Sequence, residues 1–300
     1  MTILQLKYAI TIANVSSMRQ AADKLFVSQP ALSSSIRELE EELGIHIFER
    51  TSRGIIVTEE GKEFLEYAKQ AVSQYAILED RYISEDKNKN HFSVSMQHYV
   101  FAVRAFVNTI KKYDSSRYVY TVRETKTYEV LSDVSDLKSE VGIVAYTKDN
   151  EKLMRKLFQK NRLCFEQLMV RDTYAYVSKN HPLAHRKEIS IEELKDYPCV
   201  SFDQSSENDF YLYEEALSNY EFDKLIKSND RATSTEILAH LNGYSIGTGI
   251  MTESITLQSE FVAIKLKEDD PLTIGYIIKK SHKLSEIGEA YIEELNKYKE

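Results

Sequence analysis

The chain has 300 residues and a net charge of −8, with 42% hydrophobic and 29% charged side chains. That is length for two or three domains, each with its own core, in an ordinary globular composition. It excludes a disordered chain, and with only two cysteines, Cys164 and Cys199, it excludes a disulfide framework or a zinc finger. No apolar run approaches bilayer length, and MTILQLKYAI lacks a signal-peptide layout, so no membrane partner and a cytoplasmic location are expected.

Leu4, Leu6, Tyr8, Ala9, Ile12 and Ala13 make a largely apolar first helix. Asn14 to Ser17 breaks it, and Ser16 or Ser17 can cap a second helix over Met18 to Leu25, where small Ala21 and Ala22 permit close packing. Phe26 and Val27 turn the chain. Ser28 is a good cap, Pro30 fits a first helical turn, and Gly44 ends a third helix whose Ala31, Leu32, Ile36, Leu39 and Leu43 face a core. Ile45 to Phe48 and Ile55 to Val57 read as short strands flanking the loop ERTSRG. Capped helix, turn, capped helix and basic hairpin in this order describe a winged helix-turn-helix, a module that reads double-stranded DNA.

Residues 1–60 carry six cations and eight anions, so any attraction to phosphates must be local. Arg50 and Arg53 supply it in the wing, and Arg53 has the reach for a minor groove. The outer face of the third helix shows Ser28, Gln29, Ser33, Ser34 and Arg37. Gln suits adenine, Arg suits guanine or phosphate, and Ser suits either base edges or phosphate. The plainer alternative is a solvated polar face.

AADKLFVSQPALSSSIRELEEELGIHIFERTSRGIIVTEEG resembles the N-terminal domain of LysR-type transcriptional regulators. By that resemblance Gln29, Pro30, Ala31, Ser33, Ser34 and Arg37 take DNA-contact roles, with Arg53 in the wing. Relatives often carry a longer basic or amide side chain where this sequence has Ser34.

From Glu59 to Asp86 the chain reads as one long helix. Phe64, Ala68, Ala71, Tyr75, Leu78 and Tyr82 alternate by four and three, the seam of a two-stranded coiled coil and hence of a homodimer. The alternative is an amphipathic helix lying on its own domain. SEDKNKN, residues 84–90, reads as a hinge.

Beyond it strands and helices alternate: strands at Phe92–Met96, Val119–Val122, Val141–Ala145, Tyr174–Ser178, Cys199–Phe202, Tyr244–Thr248 and Thr273–Ile278, and helices at Val100–Tyr113, Tyr128–Lys138 and Thr235–Leu241. Alternation predicts parallel sheets covered by helices, an α/β fold. RDTYAYVSKNHPLAHRKEISIEELKDYPCVSF and LNGYSIGTGI also resemble landmarks of the LysR effector domain. The resemblance implies two Rossmann-like subdomains, similar to periplasmic binding proteins, with an effector between them. It divides the chain into a DNA-binding domain (1–60), a linker and dimerisation helix with hinge (61–90) and an effector domain (91–300). Within the last, subdomain I is 91–167 plus 266–300 and subdomain II is 168–265. It also suggests a homotetramer carrying two head pairs.

Ligands of open α/β sheets sit at strand carboxyl ends near helix N-termini. The polar ends here are Gln97-His98-Tyr99, Gln204-Ser205-Ser206 and Gly247-Thr248, with Thr125 and Thr127 weaker. The alternative is that these Ser and Thr residues only cap helices. No Lys or Arg cluster marks the cleft, so a small carboxylate, amino acid or related metabolite suits it better than a polyphosphate.

Rival motifs are present. GYSIG matches the G-x-S-x-G nucleophile elbow, and Asp269 or Asp270 and His282 follow Ser245 in hydrolase order, yet the expected strand follows Gly243, placing Ser245 inside it. Cys164 or Cys199 offers a redox-responsive version of the same regulator, although neither sits in CxxC and Cys199 reads as buried. His181 and His185 are spaced for a metal, but HPLAH contains a proline and reads as a loop with solvated histidines. The expectation is a non-enzymatic regulator of transcription with no cofactor, no metal and no catalytic residue, partnered by DNA, a small-molecule effector and further copies of itself.

Overall fold

A computed structural model describes residues 1–51, 54–82, 90–113, 117–204, 216–217, 220–250, 260–268, 270–280 and 282–299. The chain divides into two compact units, Met1–Lys89 and Asn90–Glu300.

In the first unit α1 (Ile3–Val15) starts at Thr2, whose side chain and Gln5 form a reciprocal capping box, and stops at Ser16 in left-handed conformation. Ser17 caps α2 (Met18–Leu25), and Phe26, also left-handed, ends it. Ser28 accepts the Ala31 N–H to cap α3 (Gln29–Leu43), which Gly44 terminates at φ +70°. The three helices share a core of Ala9, Ile12, Ala21, Ala22, Leu32, Ile36 and Leu39.

The wing pairs β1 (Phe48–Thr51) antiparallel to β2 (Gly54–Val57). The first strand therefore begins where the sequence reading of Ile45–Phe48 ended. The cause is Glu40, whose carboxylate accepts the N–H groups of Ile47 (2.7 Å) and Phe48 (3.0 Å). With its donor taken by a helix side chain, Ile47 ties the wing root to α3, and the paired ladder starts at Phe48.

The linker helix α4 runs Glu59–Tyr82. A side chain at Gly61 would collide with the Ile47 carbonyl, so glycine lets this helix start against the wing. The seam read from the sequence divides. Ala68 and the unforeseen Leu65 are buried, and Phe64 packs against the same core, so this half lies on its own head. Lys7 of α1 sits 5.5 Å above the Tyr75 ring and 3.8 Å from Glu79. Ala71, Leu78 and Tyr67 are exposed. The Tyr82 side chain and residues 83–89, with most of the expected hinge, lie outside the described residues.

The second unit holds two sheets. One contains β3 (Asn90–Met96), β4 (Tyr118–Glu124), β5 (Val141–Tyr146), β6 (Leu163–Arg171) and, from the far end of the chain, a strand over Leu272–Lys279, in the order β4-β3-β5-(272–279)-β6. The other contains β7 (Tyr174–Ser178), β8 (Glu188–Ile189), β9 (Cys199–Phe202), β10 (Leu225–Ser228), β11 (Tyr244–Gly247) and β12 (Phe261–Leu266), in the order β10-β9-β11-β7-β12-β8. The Leu272–Lys279 strand is β13.

Parallel sheets were the expectation, and the sheets are mixed. β3 is parallel to β4 and β5, but β13 runs antiparallel to β5 and β6, and β7 runs antiparallel to β11 and β12. The reversal follows from the connections. The chain passes between sheets twice, from β6 into β7 and from β12 into β13, and each passage lays a strand against the local direction. β6 continues on the first sheet to Arg171, past the 167/168 division read from the sequence.

Around the sheets lie α5 (Val100–Lys112), α6 (Thr127–Ser135), α7 (Glu151–Lys160), α8 (Arg231–His240) and α9 (Glu286–Asn296). One core cluster joins Val94, Ile143 and Phe101 of the first sheet's layer to Ala175, Cys199 and Ile246 of the second. β6, β8, β10, β12, α7 and α9 were not among the predicted elements. No helix among the described residues is long and apolar enough to cross a membrane.

Candidate DNA-reading face and ligand cavity

On α3 the residues facing away from the core are Ser28, Gln29, Pro30, Ala31, Ser34 and Arg37, all exposed, with Ser33 half-buried. The Ser28 hydroxyl is engaged as the cap. Ser34 donates to Glu38 at 3.2 Å, which turns a short side chain along its own helix. Gln29 and Arg37 keep their donors open to an incoming duplex. Phe26, in the turn just before this helix, is 96% exposed with φ +55°, an apolar ring on a strained backbone that the sequence reading passed over. Arg50 lies on β1, but its side chain and all of Arg53 fall outside the described residues.

In the second unit a cavity of about 130 Å³ lies between the two sheets. Its walls come from His98 to Phe101 at the start of α5, Tyr176 on β7, Val200 and Phe202 on β9, Leu238 on α8, Ser245 to Thr248 along β11, and Phe261. Strand register explains the grouping. Ser245 lies opposite Tyr176, and Tyr244 opposite Cys199, so alternation puts Ser245, Tyr176, Val200 and Phe202 on one face. Val200, Leu238 and Phe261 pack together there.

Contacts cross from one sheet's layer to the other around this cavity. His98 stacks on Phe202 with centroids 3.5 Å apart and planes within 5°. Arg231, the first residue of α8, donates to Glu124 at the end of β4 at 3.0 Å. Lys126 lies 4.0 Å from Asp203. The Gln204 side-chain oxygen accepts the Thr127 N–H at 3.1 Å.

The predicted effector residues separate into two groups. His98, Tyr99, Gly247 and Thr248 line the cavity. Thr248 is buried and bonded to the Tyr176 hydroxyl, whose pKa burial raises. A Cβ on Gly247 would lie 2.6 Å from the Tyr176 ring, so glycine here makes room for the cavity wall. Gln97 and Thr125 are not brought to it. Gln97 is fully buried, donating to the Thr127 hydroxyl at 2.5 Å and accepting the Ala145 N–H at 2.6 Å, so its amide joins β3, β5 and α6. The Thr125 hydroxyl bonds Glu129, in a separate surface groove with Asp133 and Lys138. Ser205 and Ser206 fall outside the described residues. The sequence reading missed Arg231, Tyr176 and Phe202. The only local signal was Arg231 following the Asp230 cap, which accepts the Thr233 N–H at 2.9 Å and has its pKa lowered by hydrogen bonds from the Thr233 hydroxyl and N–H.

The rival motifs resolve differently. Ser245 is the second residue of β11, so no strand delivers it to a turn. The Asp270 carboxylate accepts the Leu217 N–H, and Asp269 is outside the described residues. Both cysteines are free and they lie in different sheets: Cys199 is buried and bonded to the Tyr244 hydroxyl, and Cys164 is half-buried on β6. His181 is buried, contrary to the expectation of solvated histidines. Its Nδ1 accepts the Leu183 N–H at 3.1 Å and its ring lies 4.3 Å from Tyr197, and desolvation lowers its pKa. His185 is exposed. Among the described residues no three His, Cys, Asp or Glu groups converge as metal ligands.

Residues 3–62 match the family described as bacterial regulatory helix-turn-helix proteins, lysR family, and residues 121–299 match the LysR substrate binding domain. The hydrogen peroxide-inducible genes activator of Haemophilus influenzae is 26% identical over 263 residues, covering 86% of this chain and 82% of that protein. Full-length OxyR from Pseudomonas aeruginosa shares the fold with a TM-score of 0.59 at 18% identity, over 99% of this chain and 98% of that one. CbnR, a LysR family transcriptional regulator, does so with a TM-score of 0.61 at 17% identity over the full length of both.

Proposed function

The chain belongs to the LysR family of bacterial transcriptional regulators, DNA-binding proteins with an effector-binding domain, and from that premise we propose which of its residues do the work. Gln29 and Arg37 on α3 read base edges, Ser33 and Ser34 contact bases or phosphate beside them, and Pro30 and Ala31 let the helix start lie close to the groove floor. Arg50 and Arg53 hold the wing to the backbone. The exposed stretch of α4 with Tyr67, Ala71 and Leu78 meets a second copy, because a head with so few cations needs two half-sites for useful affinity. The protein acts on the chromosome, in the cytoplasm, and without catalysing a reaction.

The observation that carries this reading is the presence, in one chain, of a fully capped helix-turn-helix, polar face outward, and a partly open cavity between two sheets. A ligand in the cavity biases the arrangement of heads only through its difference in affinity between arrangements. The contacts across the cavity, His98 on Phe202 and Arg231 on Glu124, are those it would strengthen or part.

The test is binding to labelled fragments from around the protein's own coding region at moderate ionic strength. Gln29→Ala and Arg37→Ala should change base preference, and Arg53→Ala should weaken all fragments. A folded head with no preference among fragments would overturn the reading. The Haemophilus relative's name, a hydrogen peroxide-inducible genes activator, fits the redox-responsive alternative, for which this chain offers half-buried Cys164 and buried Cys199 in different sheets.

A further inference from the structure

The cavity is more specific about its occupant than its position implies. It holds about 130 Å³. An apolar cavity of about 150 Å³ lined by Leu, Ile and Phe takes a benzene-sized guest. Val100, Phe101, Val200, Leu238, Ile250 and Phe261 are among the apolar residues of its wall, with the His98–Phe202 pair as a flat lip.

Its polar groups are largely spoken for. Arg231 is paired with Glu124 across the cleft. Thr235 donates to the Arg231 carbonyl at 2.8 Å, and Ser234 shares a hydrogen bond with Ser228 at 2.7 Å. Thr248 is bonded to Tyr176. The Ser245 hydroxyl, on the cavity face of β11, makes no hydrogen bond to any described residue.

We propose, resting on the effector-binding reading above, that this cavity takes a small uncharged ring-bearing molecule with a single hydrogen-bonding group, held by Ser245, and not the carboxylate that the sequence suggested. An anion entering here would share Arg231 with Glu124, which already holds one of its guanidinium nitrogens and offsets its charge, and would shed its water among apolar side chains. A neutral ring gains apolar burial and leaves the ion pair intact. One hydroxyl or ring N–H can bond to Ser245, which is half-buried and has no hydrogen-bond partner among the described residues.

The chain has no tryptophan, so indole emission can be followed directly against its tyrosines. The full chain is titrated with indole, phenol and benzoate, reading indole emission and the melting temperature. Indole and phenol should saturate with Kd on the order of 10–100 µM, within the efficiency of good small ligands, and raise the melting temperature. Benzoate should bind at least about tenfold more weakly, because it must shed a charge's hydration. Ser245→Val should weaken phenol about fivefold, the loss of one hydrogen bond. Leu238→Phe, which fills the space, should abolish indole binding in a chain that keeps its circular dichroism. Should it fail to fold, Ser245→Val carries the test.

Benzoate binding as tightly as phenol, and lost in Arg231→Gln, would overturn the chemical class while leaving the cavity as the effector site. Absence of binding by indole and phenol, or binding indifferent to both variants, would overturn the proposal outright. Failure of the underlying regulator reading shows elsewhere, as an unliganded chain without preference among DNA fragments.

Discussion

The head and the sensor use polar residues in opposite ways. On α3, Gln29 and Arg37 stand in solvent on a helix fixed from behind by Leu32, Ile36 and Leu39. In the sensor, Gln97 and Gln204, which look equally available in the sequence, are buried in bonds to Thr127 and Ala145. A surface that reads DNA needs donors left open, because the partner is outside. A domain that holds a ligand ties most polar groups at the ends of its strands into its own bonds, although the Gln204 Nε2 keeps no partner among the described residues, and what remains for the ligand is mostly apolar.

That contrast can be broken by experiment. The largest expected effect is Gln97→Leu, which orphans the Ala145 N–H and the Thr127 hydroxyl and should cost the sensor about 3 kcal/mol in urea denaturation; a purely ligand-contacting Gln97 would leave stability unchanged. Glu40→Ala should cost the head about 2 kcal/mol, since two backbone donors lose a charged acceptor, and speed amide exchange at Ile47 and Phe48. Arg37→Ala should lower DNA affinity about tenfold with no change in melting temperature, the signature of an exposed reader. Phe26→Gly should stabilise the head by about 1 kcal/mol by relieving a left-handed backbone, visible as a higher melting temperature.

The smallest effect is a pH dependence in the sensor. Burial holds His181 below its ordinary value of 6.5. Between the lowered value and 6.5 the unfolded chain binds a proton that the folded chain refuses, so stability is full above 6.5 and falls as the pH drops through that window. Melting temperatures taken stepwise from neutral to acidic pH should show the decline, and His181→Asn should flatten it.

Much of the head was legible in the sequence because its signals are local. Ser17, Ser28, Pro30 and Gly44 each act within one turn of helix, and all take the positions their chemistry predicts. The exception, the first wing strand, was displaced by Glu40, a partner seven residues away. In the sensor, β7 and β9 were plain from their apolar runs, but β6 and β12 were not. β6 mixes exposed Glu166 and Gln167 with buried Leu168 and Met169, a pattern with no clean period of two. The apolar stripe of the linker helix could be satisfied by its own head or by a neighbour, and packing alone shows that Phe64 and Ala68 lie on their own head.

The sequence by itself determined the order of elements in the head, the face of α3 turned outward and the family to which the chain belongs. These depend on residues within a few positions of each other, whose backbone geometry leaves little choice. Tertiary structure alone decided the mixed sheets and the burial of Gln97 and His181. It also placed Tyr176, Phe202, Arg231 and Ser245 around one cavity. Those outcomes depend on which distant strands become neighbours, and the chain twice passes between sheets to make them so.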